Sequence, residues 1–173
     1  ANAQLDSKAA IDQVVSIIKS GAVDADKQIA KIVKPFKKDP ATLTSIGREC
    51  LKLQKKEMAE EYANMAIAKN KNFGDAYILL GDVAINNDNG GKAAEMFQQA
   101  MYMDKKNPEG YRRYAFLMAK SSPSSSLDAL EQLRANVPGY PVDVLAAEIS
   151  DRNGDFKKAI EYYGKVEKEK LQD

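Results

Sequence analysis

The sequence predicts an all-α protein. Helix-forming residues are spread through the chain, and no alternating run of β-branched or aromatic residues is long enough to predict a strand. Within residues 74–107, small and apolar residues recur every three to four positions on either side of a turn-rich stretch, residues 86–91. This spacing predicts two helices joined by a turn. The pattern recurs 34 residues away on both sides, so a stack of helical hairpins is expected.

The central hairpin, residues 74–107, combines small residues at the contact between its helices with large residues beside them. The small residues are Gly81, Ala93 and Ala100, and the large ones are Tyr77, Leu80 and Phe97. This order of aromatic, Leu-Gly, Ala, aromatic and Ala positions resembles the tetratricopeptide repeat. Ala84 stands where that family usually has tyrosine, and Lys105 where it has proline, but neither residue disturbs a helical hairpin.

The resemblance covers nearly the whole chain and is strongest in the second, third and fifth repeats. It divides a single domain, residues 1–173, into repeats at residues 6–39, 40–73, 74–107, 108–139 and 140–173. It implies a right-handed α-solenoid in which each hairpin is stabilised mainly by its neighbours. Because the sequence stops at the end of a repeat, a fragment of a longer array is expected as readily as a natural end.

The first repeat departs from the pattern in its first helix. Ser20 and Gly21 are expected to separate its two helices. Pro35 is expected to end the second helix early, and Asp39 followed by Pro40 marks the start of the next repeat. Capping of the array explains an apolar arc wider than one packing face needs, and self-association through this helix is the alternative. The arc consists of Ile11, Val14, Val15, Ile17 and Ile18.

The fourth repeat contains a serine-rich stretch and is two residues shorter than the others. We predict a tight turn here rather than a flexible hinge. Ser122 is expected to be the N-cap of the following helix, with Pro123 in the first helical turn.

The fifth repeat regains the full length, and Gly154 with Asp155 is expected to form its turn. The last helix is predicted to direct one apolar set against the first helix of the same hairpin, while its polar end is solvated. That set consists of Ile160, Tyr163 and Val166.

The composition argues against several classes of function. Twenty-six basic and 25 acidic residues give a net charge of +1, so no long-range field attracts nucleic acid or an anionic membrane. The chain has no histidine, the commonest general base and metal ligand. Its one cysteine, Cys50, allows neither an internal disulfide nor a thiolate metal cluster. Residues 86–91 resemble a calcium loop but lack the closing acidic residue. We therefore predict no enzymatic activity, no cofactor and no metal.

Localisation is predicted from the beginning of the chain. No apolar run reaches the roughly 18 residues of a membrane-spanning helix. Residues 1–4, Ala-Asn-Ala-Gln, resemble the end of a bacterial signal peptide. Export to the periplasm or cell envelope is expected, and a cytoplasmic protein with a cloning remnant is the alternative.

A groove on the concave surface is the binding site that the family resemblance implies, lined by fixed positions of the first helix in each repeat. These positions place cationic side chains around an apolar strip of Ile78, Leu79 and Phe116, which suits an extended acidic and apolar peptide. A solvated helix face is the alternative for any single residue. Leu145 and Arg152 hold such positions too. The predicted groove residues are Arg48, Lys52, Ile78, Leu79, Asp82, Arg112, Arg113, Phe116, Lys120, Val144 and Glu148.

The function predicted from these observations is a non-catalytic scaffold that binds a peptide or protein partner in the groove. One alternative is a self-assembling structural element that associates through its first helix. Another is the interaction segment of a larger enzyme. The clamp with which some family members hold the carboxyl terminus of heat-shock chaperones is not reproduced, since only Arg113 matches it.

Overall fold

The computed structural model describes residues 6–172, and this range contains ten α-helices, one short 3₁₀-helix and no strand. The signal-peptide prediction concerns residues 1–4, which lie outside the described residues. The 3₁₀-helix is Lys34–Phe36. The α-helices are α1 Ser7–Ser20, α2 Ala25–Val33, α3 Pro40–Lys52, α4 Lys56–Lys69, α5 Gly74–Asn86, α6 Gly90–Met103, α7 Pro108–Met118, α8 Pro123–Asn136, α9 Val142–Arg152 and α10 Phe156–Gln172.

Consecutive helices pair into five hairpins, which confirms the all-α class and the repeated helical hairpin. The chain forms two compact units, Ala1–Met103 and Asp104–Asp173. In the first unit α1 packs on α2, α3 on α4 and α5 on α6, and further contacts join α4 to α5 and α3 to both α1 and α5. In the second unit α7 packs on α8 and α9 on α10, while α9 also contacts α7 and α8.

The helix boundaries follow the predicted stop and start signals. Asp39 caps α3, because its carboxylate accepts a 3.1 Å hydrogen bond from the backbone N–H of Thr42. Gly21 ends α1 in the left-handed conformation. As expected, α2 ends before Pro35. Ser122 precedes α8 as predicted, although its hydroxyl pairs with that of Ser125 at 2.8 Å instead of capping a backbone N–H.

Three of the turns inside hairpins have the same geometry. Gln54, Asp88 and Gly154 hold equivalent places, with φ angles of 66°, 55° and 78°. The residue after each donates a 2.8 Å backbone hydrogen bond to the carbonyl five positions earlier, which satisfies an otherwise unpaired helix carbonyl. Residues 86–91 thus contain the turn that connects α5 to α6.

The core of the first unit explains most of the apolar arc on α1. Val14 is fully buried, and Ile11, Ile17 and Ile18 are partly buried against the same core. This core also contains residues of α2 to α5, among them Ile29, Leu43, Ile46, Tyr62 and Leu79. Packing within its own unit therefore accounts for these four residues of α1.

Close approach of helices depends on two glycines. A Cβ at Gly81 would lie 2.7 Å from Cδ1 of Phe97 and closer still to Cε1. A Cβ at Gly47 would lie 2.7 Å from a side-chain methyl of Leu79 and 3.2 Å from the carbonyl oxygen of Ala59. The predicted place of Gly81 at the contact between the two helices is confirmed, and the ring of Phe97 lies against it.

The last helix agrees with the prediction at Val166 and differs from it at Ile160 and Tyr163. Ile160 is 71% exposed and Tyr163 is 44% exposed, so the prediction that they pack inside the hairpin is wrong. Ala159, which is 4% exposed, lies at the hairpin contact, and Tyr162 and Val166 are partly buried. A small residue is required where two helix backbones approach, and this requirement sets the rotation of α10.

Across residues 6–172, no helix has the length and apolar character needed to cross a membrane.

Candidate functional site

The apolar part of the predicted groove is not exposed in the first unit. Ile78 and Leu79 are 1% and 0% exposed, so the prediction that they form an accessible strip is wrong. Leu79 belongs to the core of that unit, and its side chain points toward Gly47 on α3. The helix buries both residues because its neighbours cover more than one stripe of α5.

Two charged residues of the predicted groove neutralise each other. Arg48 Nη1 donates a 3.0 Å hydrogen bond to Asp82 Oδ2, which joins equivalent positions of adjacent repeats across 34 residues. Asp82 is only 13% exposed at its side chain. Lys52 is also paired, with Glu49 at 3.1 Å. The cationic residues predicted from the second repeat therefore have acidic partners within the same unit.

The second unit brings three predicted groove positions into contact. The guanidinium of Arg112 lies 5.3 Å from the centre of the Phe116 ring, and that of Arg152 lies 4.6 Å from the same centre. Cations at this distance are attracted by the negative face of an aromatic ring. We call Arg112, Phe116 and Arg152 the Phe116 cluster. It joins α7 to the end of α9.

The Phe116 cluster carries more positive charge than its carboxylates compensate. Arg112 donates a 3.0 Å hydrogen bond to Glu109, one helical turn earlier. Arg152, in contrast, has no carboxylate within ion-pair distance in the described part of the chain, and its side chain contacts the ring. Tyr140 lies close to the charged groups around this cluster. The pKa of its phenol is raised, mainly by burial and also by Glu109 and Glu148, although Arg112 lowers it. The phenol therefore stays neutral at pH 7 and is available as a hydrogen-bond donor.

The other four predicted groove residues of the second unit lie outside the Phe116 cluster. Arg113 and Val144 are partly buried, whereas Lys120 and Glu148 are exposed. Lys120 lines a pocket of about 220 Å³ together with residues of α8, α9 and α10, and the ring face of Phe116 is not part of that lining. The structure thus brings together Arg112 and Phe116 of the predicted set.

Arg152 is the member of the cluster that the predicted set lacked. It holds a groove position of the fifth repeat, as the repeat spacing indicated. Its contact with Phe116 depends on how α9 packs against α7, and repeat spacing carries no information on that packing.

Reactive chemistry has little support in the described residues. Burial, with a smaller contribution from Glu49, raises the pKa of the Cys50 thiol to about 12, so this sulfur is a poor nucleophile at neutral pH. Within residues 6–172, no three Cys, Asp or Glu side chains come together so that they could hold a metal ion.

One repeat of this chain matches a known family in sequence, and the fold of the chain matches solved structures. The sequence profile described as tetratricopeptide repeat matches residues 74–107. No curated protein matches the chain in sequence.

Solved structures match most of the chain at low identity. A thermophilic tetratricopeptide-repeat protein from Thermus thermophilus is 18% identical with a TM-score of 0.62, and the match covers 92% of this chain and 89% of that one. The protein MamA is 18% identical with a TM-score of 0.60, over 86% of this chain and 88% of that one. YrrB, described as having an unusual peptide-binding site, is 15% identical with a TM-score of 0.53, over 91% and 82%.

At these identities the structural matches establish the fold, and the profile match establishes the repeat. Ten α-helices in five hairpins, over the described residues, agree with five repeats. The chain therefore contains a tetratricopeptide repeat at residues 74–107 and has the fold of the tetratricopeptide-repeat proteins.

Proposed function

We propose that the chain is a non-catalytic scaffold that binds an acidic segment of a partner protein at the Phe116 cluster. The observation that carries the proposal is Arg152, whose guanidinium lies 4.6 Å from the Phe116 ring and has no acidic partner among the described residues. A guanidinium that stacks on an aromatic ring directs its N–H groups outward, parallel to the ring plane, where a carboxylate can accept two of them. Stacking thus orients the cation for carboxylate binding.

The apolar component of the ligand is expected to lie against Phe116 itself. The ring is partly buried, and the two arginine stems extend its apolar surface. An apolar side chain beside a carboxylate would use both features of the cluster. Arginine is also among the side chains that most often dominate the energy of protein interfaces.

The first unit supports a narrower site than the groove predicted from the sequence. Arg48 and Lys52 already have acidic partners, and Ile78 and Leu79 are buried. Of the predicted set, Arg112 and Phe116 lie in the cluster. Arg112 already has an acidic partner in Glu109, so the cation that a carboxylate ligand would pair with is Arg152. YrrB, described with a peptide-binding site, supports the view that this fold can hold a peptide.

Absence of catalysis is part of the same proposal. The chain has no histidine, and the pKa of Cys50 is raised to about 12. The charged groups of the Phe116 cluster can bind and orient a carboxylate, but none of them is a general base at neutral pH.

The test compares short fluorescein-labelled peptides in an anisotropy titration. The acidic probe alternates glutamate with leucine, the second probe replaces each glutamate by glutamine, and the third replaces it by lysine. We expect the acidic probe to bind most tightly, and the double variant Arg112→Glu, Arg152→Glu to weaken its binding about tenfold or more.

The matched control is Lys157→Glu, which changes an exposed charge on α10 outside the cluster. It is expected to leave binding of the acidic probe unchanged. Equal affinity of the native chain for the acidic and glutamine probes, or unchanged binding by the double variant, would refute the proposed site. Circular dichroism of each variant checks that its helix content is retained.

A further inference from the structure

The outer face of α10 carries three large hydrophobic side chains. Phe156 is 63% exposed, Ile160 is 71% exposed and Tyr163 is 44% exposed. Their spacing of four and three residues places them in one row along the helix. We call these three residues the α10 stripe. A row of this kind is typical of a surface that another protein element covers.

The equivalent positions of α8 are covered only in part. Because α8 begins at Pro123 and α10 at Phe156, Leu127 and Leu130 hold on α8 the places of Ile160 and Tyr163 on α10. Leu130 is 4% exposed, whereas Leu127 is 46% exposed although α9 packs on α8. Burial of this row on α8 is therefore confined to the place of Tyr163, and the row on α10 differs in having all three of its large side chains exposed.

Two unpaired charges flank the α10 stripe. Lys157 and Glu161 are exposed and have no ion-pair partner among residues 6–172. Other charges on this helix do pair, since Lys158 lies 3.9 Å from Asp155 and Lys170 lies 3.6 Å from Glu167. One basic and one acidic group thus remain available on the same side of the stripe.

These two charges are complementary to themselves when two copies of α10 run antiparallel. With Ile160 of each copy near the twofold axis, Lys157 of one copy lies within about two residues of the level of Glu161 of the other. At 1.5 Å per residue the offset is about 3 Å, which both side chains can span. The pair forms twice because the interface is symmetric. In a parallel arrangement, the twofold axis would put the charged flanks of the two copies on opposite sides of the interface, so the charges would not meet.

We propose that the α10 stripe is a homodimer interface in which α10 packs antiparallel on α10 of a second copy. The apolar centre is formed by the three stripe residues, and reciprocal ion pairs between Lys157 and Glu161 set the direction. A lipid surface fits this face less well, because basic and acidic charges alternate along its flank. The interface is independent of the proposed peptide site, since no residue of the Phe116 cluster lies on α10.

The first experiment measures self-association of the full chain by sedimentation equilibrium over a concentration series. The native chain is expected to dimerise reversibly, and Ile160→Glu to weaken dimerisation about tenfold or more, because it places a charge at the centre of the stripe. Since Ile160 is largely exposed, the variant is expected to keep its fold, which circular dichroism checks. A native chain that stays monomeric at the highest concentration would overturn the proposal and leave the stripe to another partner.

The second experiment uses charge exchange to test the direction of packing. Lys157→Glu makes both flanking positions acidic, and Glu161→Lys makes both basic, so each variant alone is expected to dimerise about threefold more weakly or worse. Mixing the two variants is expected to restore association as a heterodimer, detected with one variant carrying a fluorescent label. If the mixture associates no better than either variant alone, the antiparallel pairing is wrong.

A disulfide trap gives an independent measurement of the same geometry. Ile160→Cys lies near the proposed twofold axis and is expected to form a disulfide-linked dimer under mild oxidation, seen on a non-reducing gel. Native Cys50 is fully buried and does not compete. Leu127→Cys, an exposed position on α8, is the control. Equal cross-linking at both positions would show random collision and would count against the interface.

Discussion

Gly81 and Gly164 both lie inside helices, but a side chain at each would meet opposite surroundings. A Cβ at Gly81 would press on the ring of Phe97, which is 2% exposed, whereas a Cβ at Gly164 would meet nothing within 4 Å. Gly81→Ala is therefore expected to lower the free energy of unfolding by about 1–3 kcal/mol through overpacking. Gly164→Ala is expected to raise it by about 1 kcal/mol, because alanine favours the helix.

Urea denaturation followed by circular dichroism measures both changes, at a concentration low enough to keep the chain monomeric. The two variants add the same methyl group, so each serves as the control for the other. A loss of stability of the same size in both variants would mean that overpacking against Phe97 is not the reason why Gly81→Ala destabilises the chain.

The buried thiol of Cys50 makes the stability of the folded chain depend on pH. Burial raises the pKa of its thiol from 9.0 to about 12, so the folded protein keeps the proton to higher pH than the unfolded chain does. The stabilisation is complete below pH 9, where both states are protonated, and is lost as pH rises from 9 toward 12. Tyr62, whose pKa burial also raises, acts in the same direction.

We expect the urea midpoint of the native chain to fall between about pH 9 and pH 11, and to fall less in Cys50→Ala. The comparison uses the slope against pH within each protein, because alanine also changes the packing. Parallel slopes in the two proteins would mean that the thiol keeps an ordinary pKa in the fold.

At the scale of the helix and its turn, one backbone position repeats through the chain. This position comes just after the first helix of a hairpin, and its backbone is in the left-handed region, where a side chain is strained. It is occupied by Gln54, Asp88 and Gly154. Gln54→Gly is expected to stabilise the chain by about 1 kcal/mol, and Gly154→Ala to destabilise it by about 1–2 kcal/mol. Among the described residues the Gln54 side chain has no hydrogen-bond partner, so the change to glycine removes strain without the loss of a side-chain hydrogen bond.

Thermal unfolding of the two variants tests this repeated turn. Opposite shifts of the melting temperature are expected, upward for Gln54→Gly and downward for Gly154→Ala. A downward shift in both would show that the left-handed position is not what limits residue 54.

The rotation of α10 shows why an element can be predicted while its buried face is not. Two rows on this helix have helical spacing, one through Ala159 and Val166 and the other through Ile160 and Tyr163. The prediction took its buried set from both rows, because it grouped Ile160 and Tyr163 with Val166. The structure buries the first, because a small residue at Ala159 allows α9 to approach. Spacing identifies the rows, and packing against a particular neighbour selects between them.

At the scale of the whole molecule, the sequence predicts the hairpins better than the binding surface. The 34-residue period and the stop signals at Gly21, Pro35 and Asp39 depend on local chemistry, and local chemistry is what a sequence displays. The surface depends on contacts between repeats. Arg48 meets Asp82 across 34 residues, and Phe116 meets Arg152 from another repeat. Position in a repeat identified these residues without revealing which of them would pair.

The ion pair between Arg48 and Asp82 also bears on how such a chain can be copied and lengthened. The two residues hold the same position in successive repeats, so a tandem duplication of residues 40–73 would place arginine against arginine. Duplicating residues 74–107 would place aspartate against aspartate. The pair is partly exposed and adds little stability, but the like-charged alternatives are unfavourable. These two repeats are consequently not interchangeable, because the ion pair between them forms only when residues 40–73 precede residues 74–107.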